Sequence, residues 1–176
     1  MPKSKRAALA QKEILEVMDE RNRPLAALSR SQVHSLGLRH RSVLVMMYNT
    51  SNQLFLQQRS PKKQSYPGCW DLSATGHVQL GESTQEAALR ELAEELGVYT
   101  RRLYLVQEVP AGPQTGYEFV YLYSAGRLAQ APSPNPKEIQ NWAFVHQNEL
   151  DVMAESFAHL MTPGLLHFWR QGVLFS

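Results

Sequence analysis

Between Gly76 and Val98 the chain reads GHVQLGESTQEAALRELAEELGV, which holds five carboxylates and one arginine. Glu82 follows Gly76 after five residues, Arg90-Glu91 follows Glu82 after seven, and Glu94-Glu95 comes close behind. Carboxylates massed this way repel one another unless a cation sits among them. Oxygen ligands of this kind suit hard divalent ions such as Mg²⁺ or Mn²⁺. Glu91 and Glu95 form an i, i+4 like-charge pair, which costs roughly 0.2–0.5 kcal/mol on a bare helix. A solvated acidic face is the ordinary alternative. The glycine ahead of the run, the fixed distance to Glu82 and the arginine beside Glu91 weigh against it.

These residues need a helix to hold them. Ser83-Thr84-Gln85-Glu86 has the form of a capping box, so a helix should begin near Ser83. Gly97 is a natural stop. Ala88, Leu89, Leu92 and Leu96 then share an apolar arc, with Glu91, Glu94 and Glu95 on the neighbouring one. Strands are expected at Glu13–Met18 and Pro24–Leu28, a hairpin about the polar turn Asp19–Asn22, followed by a short helix at Ser29–Gly37. Ser42–Tyr48 reads as a central strand, with Gln53–Gln58 after it. Trp70–Ala74 and His77–Leu80 flank Gly76. Further strands are expected at Arg102–Val109, Tyr117–Ser124 and Ile139–Val145, and a last helix near Pro163–Gln171. Ala131–Pro136 reads as a loop. The order fits α/β or α+β layers.

The segment matches the Nudix box, GX5EX7REUXEEXGU with U a bulky aliphatic residue, at every defined position. The resemblance implies an α/β/α sandwich around a mixed β-sheet, and an enzyme that hydrolyses a nucleoside diphosphate linked to another group with Mg²⁺ or Mn²⁺. It implies that Glu94 and Glu95 are the main metal ligands, with Glu91 a further ligand or the base that activates water. Arg90 would orient the glutamates, Glu82 would support the loop or the outer metal shell, and the Gly76 carbonyl would be an additional ligand. Arg59, Lys62 and Lys63, just before the box, are candidates for holding phosphate oxygens; a solvated basic loop is their alternative.

The run Tyr66–His77, the Asp19–Leu25 hairpin, the Gly37–Ser42 stretch and Asn135–Ile139 resemble isopentenyl diphosphate isomerases, which belong to the same superfamily. That gives a second expectation, an isomerase that moves a double bond. Those enzymes use a cysteine two residues before the histidine of the Gly-His pair, and Thr75 stands there in this chain. A thiol titrates near pKa ~8.5, and an alcohol is a far weaker acid. The isomerases also bind a metal through three histidines and two glutamates. His40, His77 and, after a one-residue gap, His34 correspond to the histidines. Glu118 corresponds to one glutamate, and Gly116 occupies the place of the other. Ordinary histidines at loop and strand ends are the alternative. Glu118 is a candidate ligand or base under either enzymatic expectation, or else a solvent-facing strand residue. Trp142 and Phe144 read as core or pocket wall. A third expectation is a non-catalytic ligand-binding protein on the same fold, against which the complete set of box glutamates argues.

With 176 residues the chain fits one Nudix domain over 1–176, with the box at 76–98 and a hairpin extension at about 10–30. A net charge of +2 is too weak for a nucleic-acid-binding surface, so the expected partner is a small-molecule diphosphate, with no nucleic acid. The basic Met1–Arg6 is not followed by an apolar signal core, and no apolar run approaches membrane-spanning length. The lone cysteine, Cys69, fits a reducing compartment, and a cytoplasmic location is expected. A homodimer is expected at the level of the family only.

Overall fold

In the computed structural model, residues 13–176 are described. The Met1–Arg6 segment and the first residues of the expected hairpin extension lie outside them. The architecture grows from β3 (His40–Tyr48), whose residues are almost all buried. Val43, Val45 and Met47 face one core cluster, which also contains Ala88, Leu92 and Leu96. Leu44, Met46 and Tyr48 face the other, with Leu150, Leu165 and Phe168. A strand covered on both faces reads as a continuous apolar run, which is why this segment was legible.

Around β3 the sheet is mixed. β4 (Leu54–Arg59) and β6 (Ala74–His77) lie antiparallel to β3, and β8 (Glu118–Arg127) lies parallel to it. β5 (Trp70–Asp71) and β9 (Ile139–Val145) pair with β4, and β7 (Tyr104–Val109) forms an edge on β8. Helix α2 (Thr84–Leu96) covers one face. Helices α3 (Gln147–Ser156) and α4 (Pro163–Arg170) cover the other. The result is the α/β/α sandwich. β1 (Ile14–Met18) and β2 (Pro24–Ser29) make a separate hairpin, which leads into α1 (Arg30–Ser35). Its turn is closed by Asp19 Oδ1, which accepts from the amides of Arg21 at 2.8 Å and Arg23 at 2.9 Å.

One expectation needs correction. Gly76 does not sit between two strands; it lies within β6, opposite Val43. Residues 79 and 80 do pair, but with the hairpin: Leu80 donates to the Ile14 carbonyl at 2.8 Å, and Gln79 bridges Leu15. Helix α3 had no strong signal in the sequence, because only Leu150 and Ala154 of its ten residues are buried. Of the two places expected for Trp142 and Phe144, core and pocket wall, they take the first: they pack on buried Phe55, with ring centroids 5.5 and 5.3 Å away.

Helix α2 matches its caps. Ser83 and Glu86 form a reciprocal capping box, and Gly97 ends the helix at φ 62°. The proline-rich loop then closes the far end, with the Ser133 amide on the Leu96 carbonyl at 2.7 Å and the Asn135 amide on that of Glu95 at 2.8 Å. Leu92 is fully buried at the centre of the α2 contact. Leu92→Ala should cost about 2–5 kcal/mol of unfolding free energy in urea titration. A loss under about 1 kcal/mol would mean that α2 is not held by this packing.

Candidate active site

Helix α2 turns Glu91 and Glu95 inward, leaving their side chains 12% and 2% exposed, while that of Glu94 is 59% exposed. Glu91 lies so close to β6 that a Cβ on Gly76 would come within 2.1 Å of its carboxyl carbon. Glycine at 76 is therefore a matter of space. Arg90 ties the group together. Its Nε and Nη2 donate to Glu82 at 2.7 and 3.0 Å, its Nη1 to Glu91 at 2.6 Å and Glu94 at 3.3 Å, and its Nη2 also reaches the His77 carbonyl at 2.9 Å. Glu82 in turn accepts from the Gln79 amide at 3.0 Å.

These surroundings set the charge states. Burial, reinforced by the Glu95 charge and opposed by Arg90, pushes the Glu91 carboxyl up to about 7. Burial also raises Glu95, against Lys63 and Gln57. Oε2 of Glu95 accepts from Gln57 Nε2 at 2.8 Å and from the Thr75 amide at 3.1 Å, and Oε1 lies 3.3 Å from Lys63 Nζ. Burial works against the charge on Arg90, but Glu82 and Glu91 more than offset it and raise its pKa.

The three basic candidates separate. Lys63 lines the cavity but is held between Glu95 and Glu138. Arg59 lines it too, yet its guanidinium is engaged by Asp71, Thr75 Oγ1 and the Ser65 carbonyl, each at 3.1 Å. Lys62 is exposed and outside the cavity. Carboxylates already take up the basic side chains at this site.

A second cluster lies at the open end of β3. The parallel ladder sets His40 opposite Glu118, and the β6 ladder sets His77 opposite Ser42. His34 comes from α1. One ligand atom from each of His34, His40, His77 and Glu118 lies within 4.8 Å of the others. His40 Nδ1 is 2.9 Å from the Leu38 carbonyl, and His77 Nδ1 is 3.4 Å from Glu13 Oε1. Those acceptors assign the hydrogens to Nδ1 and leave both Nε2 lone pairs facing inward. His40 Nε2 is buried without a hydrogen-bond partner, and the Nε2 atoms of His34 and His77 face each other at 3.0 Å. Two lone pairs at that distance need a proton or a cation between them. Three imidazoles and a carboxylate fit a divalent ion. Gly116 contributes nothing as a side chain, so the set has four donors.

The shifts follow the same layout. Burial opposes the Glu118 charge, but His40 and His77 carry its pKa well below the usual carboxylate range. Burial opposes protonation of His77, yet Glu118 and Glu13 raise it. Burial and the neighbouring rings lower His34 to about 4.

Both groups border a cavity of about 920 Å³. Its lining includes the apolar Leu44, Val120, Gly164 and Phe168 together with Ser42 and His167. Ser42 Oγ and His167 Nε2 are buried there without partners. Neither residue carries a local signal, since what marks it is a missing partner, whereas Glu13 and Gln57 matter through His77 and Glu95, far along the chain.

A model of the NUDIX domain matches residues 38–165. The chain belongs to the Nudix family. It is 41% identical over 91 residues to an uncharacterised Nudix hydrolase of Pseudomonas aeruginosa, a match spanning 52% of this chain and 54% of that relative. It is 32% identical over 143 residues to an isopentenyl-diphosphate Delta-isomerase of Serratia proteamaculans, covering 78% and 79%. The solved structure of DR0079 from Deinococcus radiodurans superposes with a TM-score of 0.78 at 27% identity, covering 90% of this chain and 98% of that one. Among the described residues no helix is long and apolar enough to cross a membrane.

Two predictions come from this geometry. Gly76→Ala forces Glu91 or β6 to move and should lower both activity and melting temperature. An unchanged melting curve would show that the contact yields freely. The second concerns pH. Glu91 has a raised folded pKa, so without a cation its stabilising contribution is present below about 4.5 and lost as pH rises through about 7. A cation at the box favours the ionised form. Mg²⁺ should therefore raise the melting temperature more near pH 8 than near pH 5, and Glu91→Gln should shrink that difference. Equal Mg²⁺ increments in the unmodified protein would contradict it.

Proposed function

We propose that this Nudix protein is a metal-dependent hydrolase that breaks a phosphoanhydride bond in a nucleotide or another small organic diphosphate. The observation that carries the reading is the packing of Glu91, a buried carboxyl held by Arg90 against Gly76, beside Glu94 and Glu95. A general base has to lie within reach of the water whose proton it takes, and Arg90 fixes Glu91 beside the carboxylates that would hold the cation.

Mg²⁺ or Mn²⁺ held by the box glutamates supplies charge neutralisation on the phosphates and a more acidic water. Glu91 takes the proton of the attacking water. Arg90 fixes the Glu91 carboxylate by the 2.6 Å contact at Oε1 and keeps Glu82 and Glu94 in place. Glu94 is the most open of the three helix glutamates, and Lys63 and Gln57 hold Glu95 from behind. The four-donor histidine cluster, which borders the same cavity, supports a second cation.

Two observations favour this reading over the isomerase. Thr75 offers an alcohol where a thiol is needed, and its hydroxyl already accepts from Arg59. Cys69 is not among the cavity-lining residues. The lone free cysteine supports a reducing, cytoplasmic setting.

The test is a screen of nucleoside di- and triphosphates and their conjugates with Mg²⁺ and Mn²⁺, read by phosphate or mononucleotide release. Glu91→Gln should lower kcat on the best substrate by about 10²–10⁴-fold with circular dichroism unchanged. Deuterium uptake into isopentenyl diphosphate in heavy water, catalysed by the unmodified protein, would overturn the hydrolase reading.

A further inference from the structure

A histidine that gives Nε2 to a cation keeps one hydrogen, on Nδ1. An acceptor for that hydrogen fixes the ring's orientation and raises its basicity. His40 has the Leu38 carbonyl for this purpose. His77 has a carboxylate, Glu13, from outside the cluster. Glu13 is pinned in turn: its Oε2 accepts from Arg30 Nη1 at 3.0 Å, and its carbonyl accepts from the Arg30 amide at 2.8 Å. Arg30 opens α1, the helix that carries His34. One carboxylate thus touches His77 with one oxygen and the start of the His34 helix with the other.

We infer that Glu13 is a positioning residue for a divalent cation held by His34, His40, His77 and Glu118, acting by fixing His77 in the tautomer that turns Nε2 inward. This rests on reading the cluster as a cation site. The geometry separates it from a purely structural role. A carboxylate that served only to dock the hairpin would need Arg30, not the ring nitrogen. Glu13 is 22% exposed and reaches both. Gln at 13 has nearly the same shape and retains an oxygen, but lacks the charge that makes a carboxylate the stronger acceptor.

The experiment uses the full chain and Co²⁺ as probe, followed by its visible absorption. The part of the titration lost in His40→Ala belongs to the cluster. For that part, Glu13→Gln should weaken Co²⁺ binding by about 10–100-fold, and Arg30→Met should change it far less. In the Zn²⁺-loaded unmodified protein, nuclear magnetic resonance should show a slowly exchanging His77 Nδ1 proton, which exchanges faster in Glu13→Gln. Equal Co²⁺ affinity in Glu13→Gln and the unmodified protein would overturn the role of Glu13. So would equal weakening by Arg30→Met, which would assign the effect to hairpin docking. If the unmodified protein shows no Co²⁺ signal that depends on His40, the cation reading itself falls. The two failures are therefore distinguishable.

Discussion

Arg90 draws Glu82, Glu91, Glu94 and the His77 carbonyl onto one guanidinium. Without it, three carboxylates and the neighbouring Glu95 would face each other across a partly dry site. The arginine relieves only part of that repulsion, since Glu91 stays near 7 and Glu95 is raised as well. Gly76 makes the arrangement sterically possible by letting α2 approach β6. The apolar face of α2 brings the helix against the sheet, and Arg90 then clamps Glu91 and the His77 carbonyl of β6 together.

The alternation of β6 then divides the site. Gly76 lies opposite Val43, on the α2 face, and His77 lies opposite Ser42 and points to the other side. Two consecutive residues thus border two different groups of side chains. Arg90 binds the carbonyl of the very residue whose ring belongs to the second cluster. The glutamate cluster and the histidine cluster are coupled through one peptide unit as well as through the shared cavity.

Much of this was legible in the sequence where the signals were local. The capping box, Gly97 and the helix between them are short-range features, and the helix runs as its residues dictate. The central strand was legible because both its faces are buried, although it starts at His40 and not Ser42. That difference matters, since it places His40 in register with Glu118. The gathering of His34, His40, His77 and Glu118 was expected only through the resemblance to the isomerases, because no local pattern shows a parallel pairing between distant segments. The same holds for the fate of Arg59 and Lys63: their charges suggested phosphate, but Asp71, Glu95 and Glu138 lie close only in the folded chain. Ser42 and His167 carry no local signal at all, since what marks them is the lack of a partner.

The histidine cluster takes its donors from α1, β3, β6 and the start of β8. It is complete only when the parallel β3–β8 ladder has closed, and that closure joins segments far apart in the chain. Closing contacts of such long sequence separation costs loop entropy before they reward it. An ion that bound only the closed cluster would bind the native state and not the unfolded one, and would hold the hairpin, the helix and the sheet together as one unit.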